Sequence, residues 1–219
     1  MAAVVLYGLS RSVYTRIARL ALEEKGVGYT LEEVEVFGPD GAPPEHLGRH
    51  PFGRIPALKH AGLVLYETGA VTRYVDEAFP GPVLQPTDAV ARARMNQVIS
   101  IVDAYAYRPI IWGVFINRVS NPREGRAVDQ GAIGAALPRI RTVLRSLESI
   151  SGAQRFFAGE QLSLADLHVA PVLLYFQLTV EGRKMIAEHA RLDAWLAGMK
   201  ERRSVQTTRS IYEAEAQHT

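Results

Sequence analysis

The sequence predicts a chain in two parts, a small α/β unit followed by an all-α unit. Up to Ala78, strand-like and helix-like apolar patterns alternate in the order βαβ and then ββα. Residues 79–86 (FPGPVLQP) then interrupt the pattern with three prolines. Beyond them, apolar residues recur only at helical spacing. We therefore expect domains at residues 1–80 and 88–219, joined by a linker at residues 81–87.

The βαβ part begins with residues 4–7, which are apolar and β-branched and therefore predict a short buried strand. Residues 12–25 carry apolar side chains every three to four positions, and Gly26 follows, so a helix is expected there. Residues 29–36 predict a second strand, whose alternation slips at Glu32 and Glu33 and indicates a bulge. The two strands should pair in parallel through a right-handed crossover.

The ββα part follows a segment rich in glycine and proline. Residues 38–51 predict a loop with at most one short helical turn. Two short apolar runs, residues 57–59 and 63–66, flank Ala61 and Gly62 and are typical of a β-hairpin. Residues 67–78 return to helical spacing and complete the first unit.

The second unit is expected to contain helices only. Residues 88–118 predict one long helix, with Pro109 as the place for a kink. Residues 127–149 carry an apolar stripe, and residues 163–179 are nearly all apolar, which predicts a central buried helix. Residues 192–202 predict a further helix. At the start of the helix predicted at residues 163–179, Ser163 and Asp166 have the spacing of a capping box, so we assign Asp166 to folding.

Composition excludes several function classes. The 219 residues are 47% hydrophobic and 22% charged, which is ordinary for a globular protein and excludes disorder as the main state. A formal charge of +2 is too small to favour nucleic acid or a membrane as partner. No apolar run is long enough for a spanning helix, and the start lacks signal-peptide features, so a cytoplasmic location is expected. The chain has no cysteine, and its six histidines show no metal spacing, so no metal is expected.

Arginines at positions 11, 16 and 19 suggest a basic face on the first helix. Arg16 and Arg19 lie away from the apolar stripe, which predicts a solvated surface. The alternative is that Arg11, at the start of the helix, raises the local positive potential near a ligand.

Three segments of the first unit have the residue types of a binding site. In YGLSRSVYTR, Ser12 begins a helix, where its hydroxyl either caps the helix or faces a ligand. In HPFGRIPAL, a cis bond before Pro56 would present the N–H and C=O of Ile55 to an extended peptide, whereas a trans proline would simply begin a strand. In YETGAVTRY, Glu67 and Thr68 either cap the next helix or form a second anion site.

Together these segments resemble the cytosolic glutathione transferases, of the serine-using, bacterial-like type that is similar to the phi, theta and zeta classes. The resemblance covers nearly the whole chain. HPFGRIPAL matches NPFG-x-IPAL, Glu67-Thr68 matches a Glu-Ser step, and FAGEQLSLAD matches LAGDxLTLAD. It implies an N-terminal thioredoxin-like domain followed by a helical domain, and a homodimer in which the first domain of one chain faces the helical domain of the other. It also implies glutathione as co-substrate, a small hydrophobic electrophile and a role in detoxification.

The resemblance assigns the glutathione site to six residues: Ser12, Arg54, Ile55, Pro56, Glu67 and Thr68. The Ser12 hydroxyl is implied to donate a hydrogen bond to the glutathione sulfur. Arg54 and Ile55 would meet the glutathione backbone, with Ile55 held by a cis Pro56, and Glu67 and Thr68 would hold the γ-glutamyl end. Tyr7 and Ser10 remain the alternatives for activating the thiol.

The chain departs from the family pattern in the loop before HPFG. A His-Lys pair that often contacts the glycine carboxylate of glutathione is replaced by Gly41 and Ala42. His46 and Arg54 are the candidates to replace it. His50 stands where the family usually has asparagine.

The second substrate is implied to bind beside the first long helix of the second unit. Tyr105, Arg108 and Trp112 on that helix, with Ser10 from the first loop, are the candidates for the electrophile pocket. Arg108 would meet an acidic substrate or pair with a carboxylate. Two other functions stay open: another glutathione-dependent enzyme (an isomerase, dehalogenase or ether-cleaving lyase), or a non-catalytic protein with the same fold.

Overall fold

The computed structural model describes residues 2–215, which form two compact units, the first ending at Val83 and the second beginning at Leu84. The first unit is built on a sheet of four strands: β1 Val4–Gly8, β2 Thr30–Glu33, β3 Ala57–His60 and β4 Leu63–Tyr66. Their order is β2-β1-β3-β4. β1 pairs in parallel with β2 and antiparallel with β3, which pairs antiparallel with β4. The predicted βαβ and ββα halves are therefore confirmed.

Three helices complete the first unit: α1 Val13–Glu24, α2 Pro44–Leu47 and α3 Thr68–Ala78. α1 connects β1 to β2 and lies where the change of period predicted it. α2 is the single short turn expected in the loop rich in glycine and proline. α3 follows β4 and begins one residue later than predicted.

β2 is shorter than predicted and contains no bulge at the two glutamates. Glu32 and Glu33 pair in continuous register with Tyr7 and Gly8 of β1. Both are exposed on an edge strand, which explains why the alternation slips there. Beyond the strand, the side chain of Glu35 accepts a hydrogen bond from the N–H of Phe37 at 2.8 Å, a local bond that competes with strand pairing.

The prediction that Arg16 lies on a solvated face is wrong. Its side chain is 0% exposed and is among the largest fully buried ones in the chain. α1 is buried on most of its surface, so Arg16 is covered although it lies away from the apolar stripe. Arg11 and Arg19 lie nearer the surface, where they bond to Glu35 and Tyr29.

A buried ion pair anchors the proline segment to the first unit. The Nζ atom of Lys25 lies 3.1 Å from Oδ1 of Asp76 and also donates to the carbonyl oxygens of Asp76 and Pro82, at 2.9 and 3.0 Å. Lys25 follows α1, Asp76 lies in α3, and Pro82 lies beyond it. Three hydrogen bonds use all three protons of the ammonium group.

The hairpin turn between β3 and β4 leads to a first testable prediction. Ala61 and Gly62 both have positive φ, 48° and 86°, which a two-residue hairpin turn requires. Alanine tolerates this region poorly, whereas asparagine enters it more readily. We expect Ala61→Asn to stabilise the protein by up to about 1 kcal/mol, which corresponds to a rise in Tm of about 2–4 °C.

Thermal unfolding followed by circular dichroism measures this change. Gly62→Ala is the matched control and should lower Tm, because it places a side chain at φ 86°. Equal Tm values for both variants and the parent would contradict the turn assignment.

Among its described residues, the second unit contains helical segments and a single isolated β-bridge between Phe156 and Gly159. Its elements are α4 Ala89–Ile101, the π-helical segments π1 Val102–Ala106 and π2 Arg108–Ser120, α5 Asn121–Arg123, α6 Gln130–Ser151, α7 Leu164–Gln177, α8 Val180–Ala187, α9 Ala190–Lys200, α10 Arg203–Thr207 and α11 Ile211–Glu215. The predicted all-helical second unit is thus confirmed.

The first long helix of this unit is bent, as Pro109 predicted. Ala89–Ala106 and Arg108–Arg123 meet at an angle of 49°. Proline lacks the N–H that would continue the ladder and clashes with the preceding turn, which explains a bend and wider helical turns here. Among residues 2–215, no single helix is both long enough and apolar enough to cross a membrane. In this part of the chain, only the two bent segments, taken together, meet both requirements.

Among the remaining helices, α6, α7 and α9 differ from the sequence prediction only at their ends, whereas α5, α8, α10 and α11 were not predicted. α6 begins three residues later than predicted, because the carboxylate of Asp129 caps it by accepting from the N–H of Ala132. α7 is buried almost throughout, as predicted, and its capping box is present. α8 was missed, although Thr179 caps it by accepting from the N–H of Gly182.

Candidate active site

The register of the sheet brings the three candidate segments to one edge. Tyr7 in β1 pairs with Ala57 in β3, which pairs with Tyr66 in β4. The loop to Ser12 follows β1, Pro56 precedes β3, and Glu67 follows β4. Because paired residues form one row across the sheet, these segments leave the sheet side by side.

Ser12 is the N-cap of α1 and still has a proton to donate. Its Oγ accepts from the N–H of Thr15 at 3.4 Å, and the residue is half-buried. A hydroxyl group has one donor and two acceptor sites, so the cap uses only a lone pair. The two roles considered for Ser12, a cap and a ligand contact, are therefore compatible.

The bond between Ile55 and Pro56 is cis, one of the two alternatives considered for this segment. The Ile55 side chain is 8% exposed and packs with Tyr7, Leu9 and Ala57. Because the side chain of Ile55 is packed into this cluster, its main-chain N–H and C=O are what the residue can offer to a ligand. The Arg54 side chain beside it is exposed.

Glu67 has an unusual backbone conformation at the start of α3. Its φ is 67°, in a region that non-glycine residues rarely occupy and that stores strain. The carbonyl of Glu67 accepts the N–H groups of Ala70 and Val71. Within residues 2–215, the N–H groups of Thr68 and Gly69 have no acceptor. These two N–H groups and the helix dipole make this end of α3 suited to an anionic group.

A buried histidine supports the segment that carries Arg54 and Ile55. His46 in α2 is 0% exposed, and its Nε2 lies 2.7 Å from the carbonyl oxygen of Arg54. A carbonyl only accepts, so Nε2 carries the proton. The other nitrogen, Nδ1, is buried and has no hydrogen-bond partner in residues 2–215. Of the two candidates to replace the His-Lys pair, His46 has an enclosed ring that is already bonded to the carbonyl of Arg54, whereas the side chain of Arg54 is exposed.

His50 lies in the same cluster and is kept neutral. It is 2% exposed, and its ring lies 4.9 Å from the ring of Tyr66 and 6.3 Å from that of His46. Burial lowers the pKa of His50, and the electrostatic influence of His46 and Arg54 lowers it further. The charge of Glu67 opposes this shift. Stability contributed by this residue is therefore complete above the ordinary histidine pKa and is lost as the pH falls below it.

The His46 contact predicts a selective loss of affinity. In His46→Leu, the carbonyl of Arg54 loses its donor, and we expect KM for the ligand that meets Ile55 to rise about five- to tenfold with kcat nearly unchanged. His46→Gln keeps an N–H at similar reach and should recover most of the loss. Steady-state kinetics of the three proteins checks this. Equal KM values for His46→Leu and the parent would show that the contact does not position the segment.

The two alternatives to Ser12 are placed differently. Tyr7 is 5% exposed and belongs to the core cluster with Leu9 and Ile55, and the guanidinium of Arg49 stacks 4.2 Å above its ring. Ser10 is exposed, and its N–H donates to the carboxylate of Glu33 at 3.0 and 3.2 Å.

Arg11 does not supply an uncompensated positive charge. It forms an ion pair with Glu35. Burial alone would raise the pKa of Glu35, but the hydrogen bond and charge of Arg11 lower that pKa overall. The pair is therefore ionised at neutral pH. The proposed rise in positive potential from Arg11 is therefore weakened.

The candidates in the second unit line one cavity of about 610 Å³ between the π-helical segments and α6. Tyr105, Arg108 and Trp112 all face it. Phe115 on the same helix is instead 3% exposed and stacks on Tyr175 in the core, with the two ring centroids 4.7 Å apart. Among residues 2–215, no group of three or more histidine, aspartate or glutamate side chains could hold a metal ion.

Comparison with known proteins agrees with this arrangement. Residues 2–77 match the family model "Glutathione S-transferase, N-terminal domain", and residues 130–198 match "Glutathione S-transferase, C-terminal domain". Glutathione S-transferase 1 of Zea mays is 30% identical over 217 residues, which are 99% of this chain and 100% of that protein.

Solved structures of similar fold include glutathione transferase F7 from Populus trichocarpa, with a TM-score of 0.84, 27% identity and coverage of 98% and 99% of the two chains. Another is glutathione S-transferase I from maize in complex with an atrazine glutathione conjugate, with a TM-score of 0.82, 29% identity and coverage of 94% and 96%. These three relatives come from plants. The motifs, the sheet edge and the matches over both units lead to one conclusion: the chain belongs to the glutathione S-transferase family.

Proposed function

We propose that the chain conjugates the thiolate of glutathione to a small electrophile and uses Ser12 to activate the thiol. One observation carries this proposal: the row from Tyr7 to Tyr66 places the Ser12 loop, the Ile55 main chain and the start of α3 at one edge of the sheet. Each offers the chemistry that a different part of an extended anionic tripeptide needs.

Glutathione would lie across this edge in an extended form. Its γ-glutamyl carboxylate suits the N–H groups of Thr68 and Gly69 and the dipole of α3, and its ammonium group suits the carboxylate of Glu67. Its cysteine main chain would pair with the N–H and C=O of Ile55, as in a short β-ladder. Arg54, which is exposed, is the cation available to the glycine carboxylate.

The magnitudes are sufficient for thiol activation. A free thiol has a pKa near 8.5, and lowering it by about two units requires about 2.7 kcal/mol. A hydrogen bond to a charged group provides about 1.5–3 kcal/mol, and the N-terminus of α1 adds about 0.3–1 kcal/mol. The thiolate sulfur then attacks the electrophilic carbon, a C–S bond forms, and the leaving group departs with its electron pair.

The second substrate is assigned to the helical domain. Tyr105, Arg108 and Trp112 line its cavity of about 610 Å³, a volume in the range of small-molecule sites. Ser10 is a further candidate from the first domain. In this proposal residues 1–80 bind glutathione, residues 81–87 are the linker and residues 88–219 hold the electrophile.

We also propose that the protein is a homodimer. The first unit exposes Phe52 (69%) and Leu47 (45%) around α2, and exposed apolar side chains that lie near each other are typical of a protein–protein contact. We expect Phe52→Ser to raise the dimer dissociation constant about tenfold or more, because burying a phenylalanine is worth about 1.5–3 kcal/mol.

Sedimentation velocity over a range of concentrations measures this change. Phe37→Ser, which removes another exposed phenylalanine (56%), is the matched control. A parent protein that sediments as a monomer at all concentrations would contradict the dimer.

A detoxifying role and a cytoplasmic location complete the proposal, since a reducing compartment keeps the glutathione thiol available.

The decisive experiment is glutathione binding by calorimetry, with conjugation of 1-chloro-2,4-dinitrobenzene measured in parallel. Binding at millimolar glutathione and formation of dinitrophenyl-glutathione are expected. Binding without conjugation of this or any other electrophile would indicate a non-catalytic protein. Absence of binding at millimolar glutathione would overturn the proposed function.

A further inference from the structure

The turn that carries Ser12 is fastened to the end of β2. The N–H of Ser12 donates to the carbonyl oxygen of Leu9 at 2.9 Å and closes a turn over residues 9–12. The N–H of Ser10, a central residue of this turn, donates to both carboxylate oxygens of Glu33, at 3.0 and 3.2 Å. An ionised acceptor makes such a bond stronger than one between neutral groups. Glu33 therefore holds the main chain just before the N-cap of α1.

The other central residue of the turn is held from the same end of β2. Arg11 forms an ion pair with Glu35. Between the two glutamates, the N–H of Val34 donates to the carbonyl oxygen of Gly8 at 3.1 Å, and the Val34 side chain is buried. Alternate residues of an extended chain point to the same side, so Glu33 and Glu35 reach the turn together while Val34 packs into the core.

The cap bond of Ser12 does not by itself fix the position of the hydroxyl. Its Oγ lies 3.4 Å from the N atom of Thr15, beyond the usual range of about 2.7–3.2 Å. The position of the hydroxyl therefore depends on the main chain of the turn. We propose that Glu33 is a positioning residue for thiol activation, which holds the turn so that the Ser12 hydroxyl meets the glutathione sulfur, with Glu35 as a second anchor. The inference rests on the proposed role of Ser12.

The charge of Glu33 and its hold on the turn have opposite effects on the bound thiol. A carboxylate near a thiolate repels it, so loss of the charge alone would lower the pKa of the thiol. Loss of a fixed turn instead weakens the hydrogen bond from Ser12 to the thiolate, which raises the pKa of the thiol. The sign of the shift therefore distinguishes a positioning role from an electrostatic one.

Steady-state kinetics and ultraviolet titration of the bound thiolate test this role. In Glu33→Ala we expect kcat for conjugation to fall about five- to tenfold, KM for glutathione to change less than about twofold, and the pKa of the bound thiol to rise by about half to one unit. Glu33→Gln keeps an oxygen that can accept from the N–H of Ser10, so it should recover most of both losses. Glu32→Ala is the matched control and should behave as the parent, because Glu32 is an exposed glutamate of β2 that points to the other face of the sheet.

Two kinds of failure are distinguishable. A thiol pKa in Glu33→Ala that is equal to or lower than that of the parent would overturn the inference and leave the proposed function intact. A parent protein that binds no glutathione, or binds it without forming the thiolate, would overturn the proposed function and the inference with it.

Hydrogen exchange of the protein without glutathione tests the hold on the turn directly. The amides of residues 10–12 should exchange about fivefold or more faster in Glu33→Ala than in the parent, and at close to the parent rate in Glu33→Gln. Unchanged exchange in Glu33→Ala would show that the carboxylate does not hold the turn, and the inference would be wrong whatever the activity of the variant.

Discussion

Ser12→Ala should reduce kcat for conjugation about 10–100-fold while glutathione still binds, because the variant loses the one hydrogen bond that favours the thiolate over the thiol. The effect falls on the ionised sulfur, so the pKa of the bound thiol should rise by about one to two units. Ultraviolet absorbance of the bound thiolate, titrated against pH in the parent and the variant, measures this pKa directly.

The cap role of Ser12 has to be separated from its donor role. Loss of the bond from the N–H of Thr15 destabilises α1 by about 1 kcal/mol, and this alone could disturb the site. Ser12→Asp keeps a good cap but has no proton to donate at neutral pH, so it should retain Tm and still lose the thiolate. Ser10→Ala, at an exposed hydroxyl in the same loop, should retain the bound thiolate. If the thiolate persists in Ser12→Ala and disappears in Ser10→Ala, the assignment is wrong.

Asp166→Ala should destabilise the helical domain by about 4 kcal/mol or more, which is large against the usual stability of a domain. Asp166 is 0% exposed, and its carboxylate accepts from the N–H groups of Phe157 and Ser163, the Ser163 hydroxyl and the Nε1–H of Trp195, at 2.8 to 3.1 Å. Burial raises the pKa of Asp166, and these donors oppose the shift. Without the carboxylate, several buried donors have no acceptor.

Urea unfolding followed by tryptophan fluorescence and circular dichroism measures the loss. Trp195→Phe removes one of the four donors and should cost no more than about 1–2 kcal/mol. Glu160→Ala, at an exposed carboxylate nearby, should change stability by less than about 0.5 kcal/mol. A cost for Asp166→Ala no larger than that for Trp195→Phe would show that the network is not cooperative. If Asp166→Ala does not fold, the Trp195→Phe value still tests the geometry.

Elements with a local signal were predictable from the sequence. α1 follows from its period and from Gly26, the hairpin from Ala61-Gly62, and the bend from Pro109, because each depends on neighbouring residues alone. α8 was missed because it is short and only weakly apolar. The burial of Arg16 was missed because it depends on what packs around α1, which no period in α1 itself encodes.

The candidate site was predictable only in part for the same reason. Its three segments could be recognised by their motifs, and their convergence follows once the register of the sheet is known. The bond from His46 to the carbonyl of Arg54 joins residues eight positions apart across an irregular loop. No spacing rule predicts such a contact. The cavity with Arg108 and Arg139 likewise depends on two helices packing face to face.

The anchoring of Pro82 by Lys25 bears on how the chain can be divided for recombinant work. A fragment ending at residue 80, the boundary that the proline pattern suggests, would remove the Pro82 carbonyl and leave a buried ammonium group with one proton unbonded. Ending the fragment at Val83 retains all three bonds. Chimaeras that exchange the first domain between relatives should therefore be joined after Val83, so that Lys25, Asp76 and Pro82 come from the same parent.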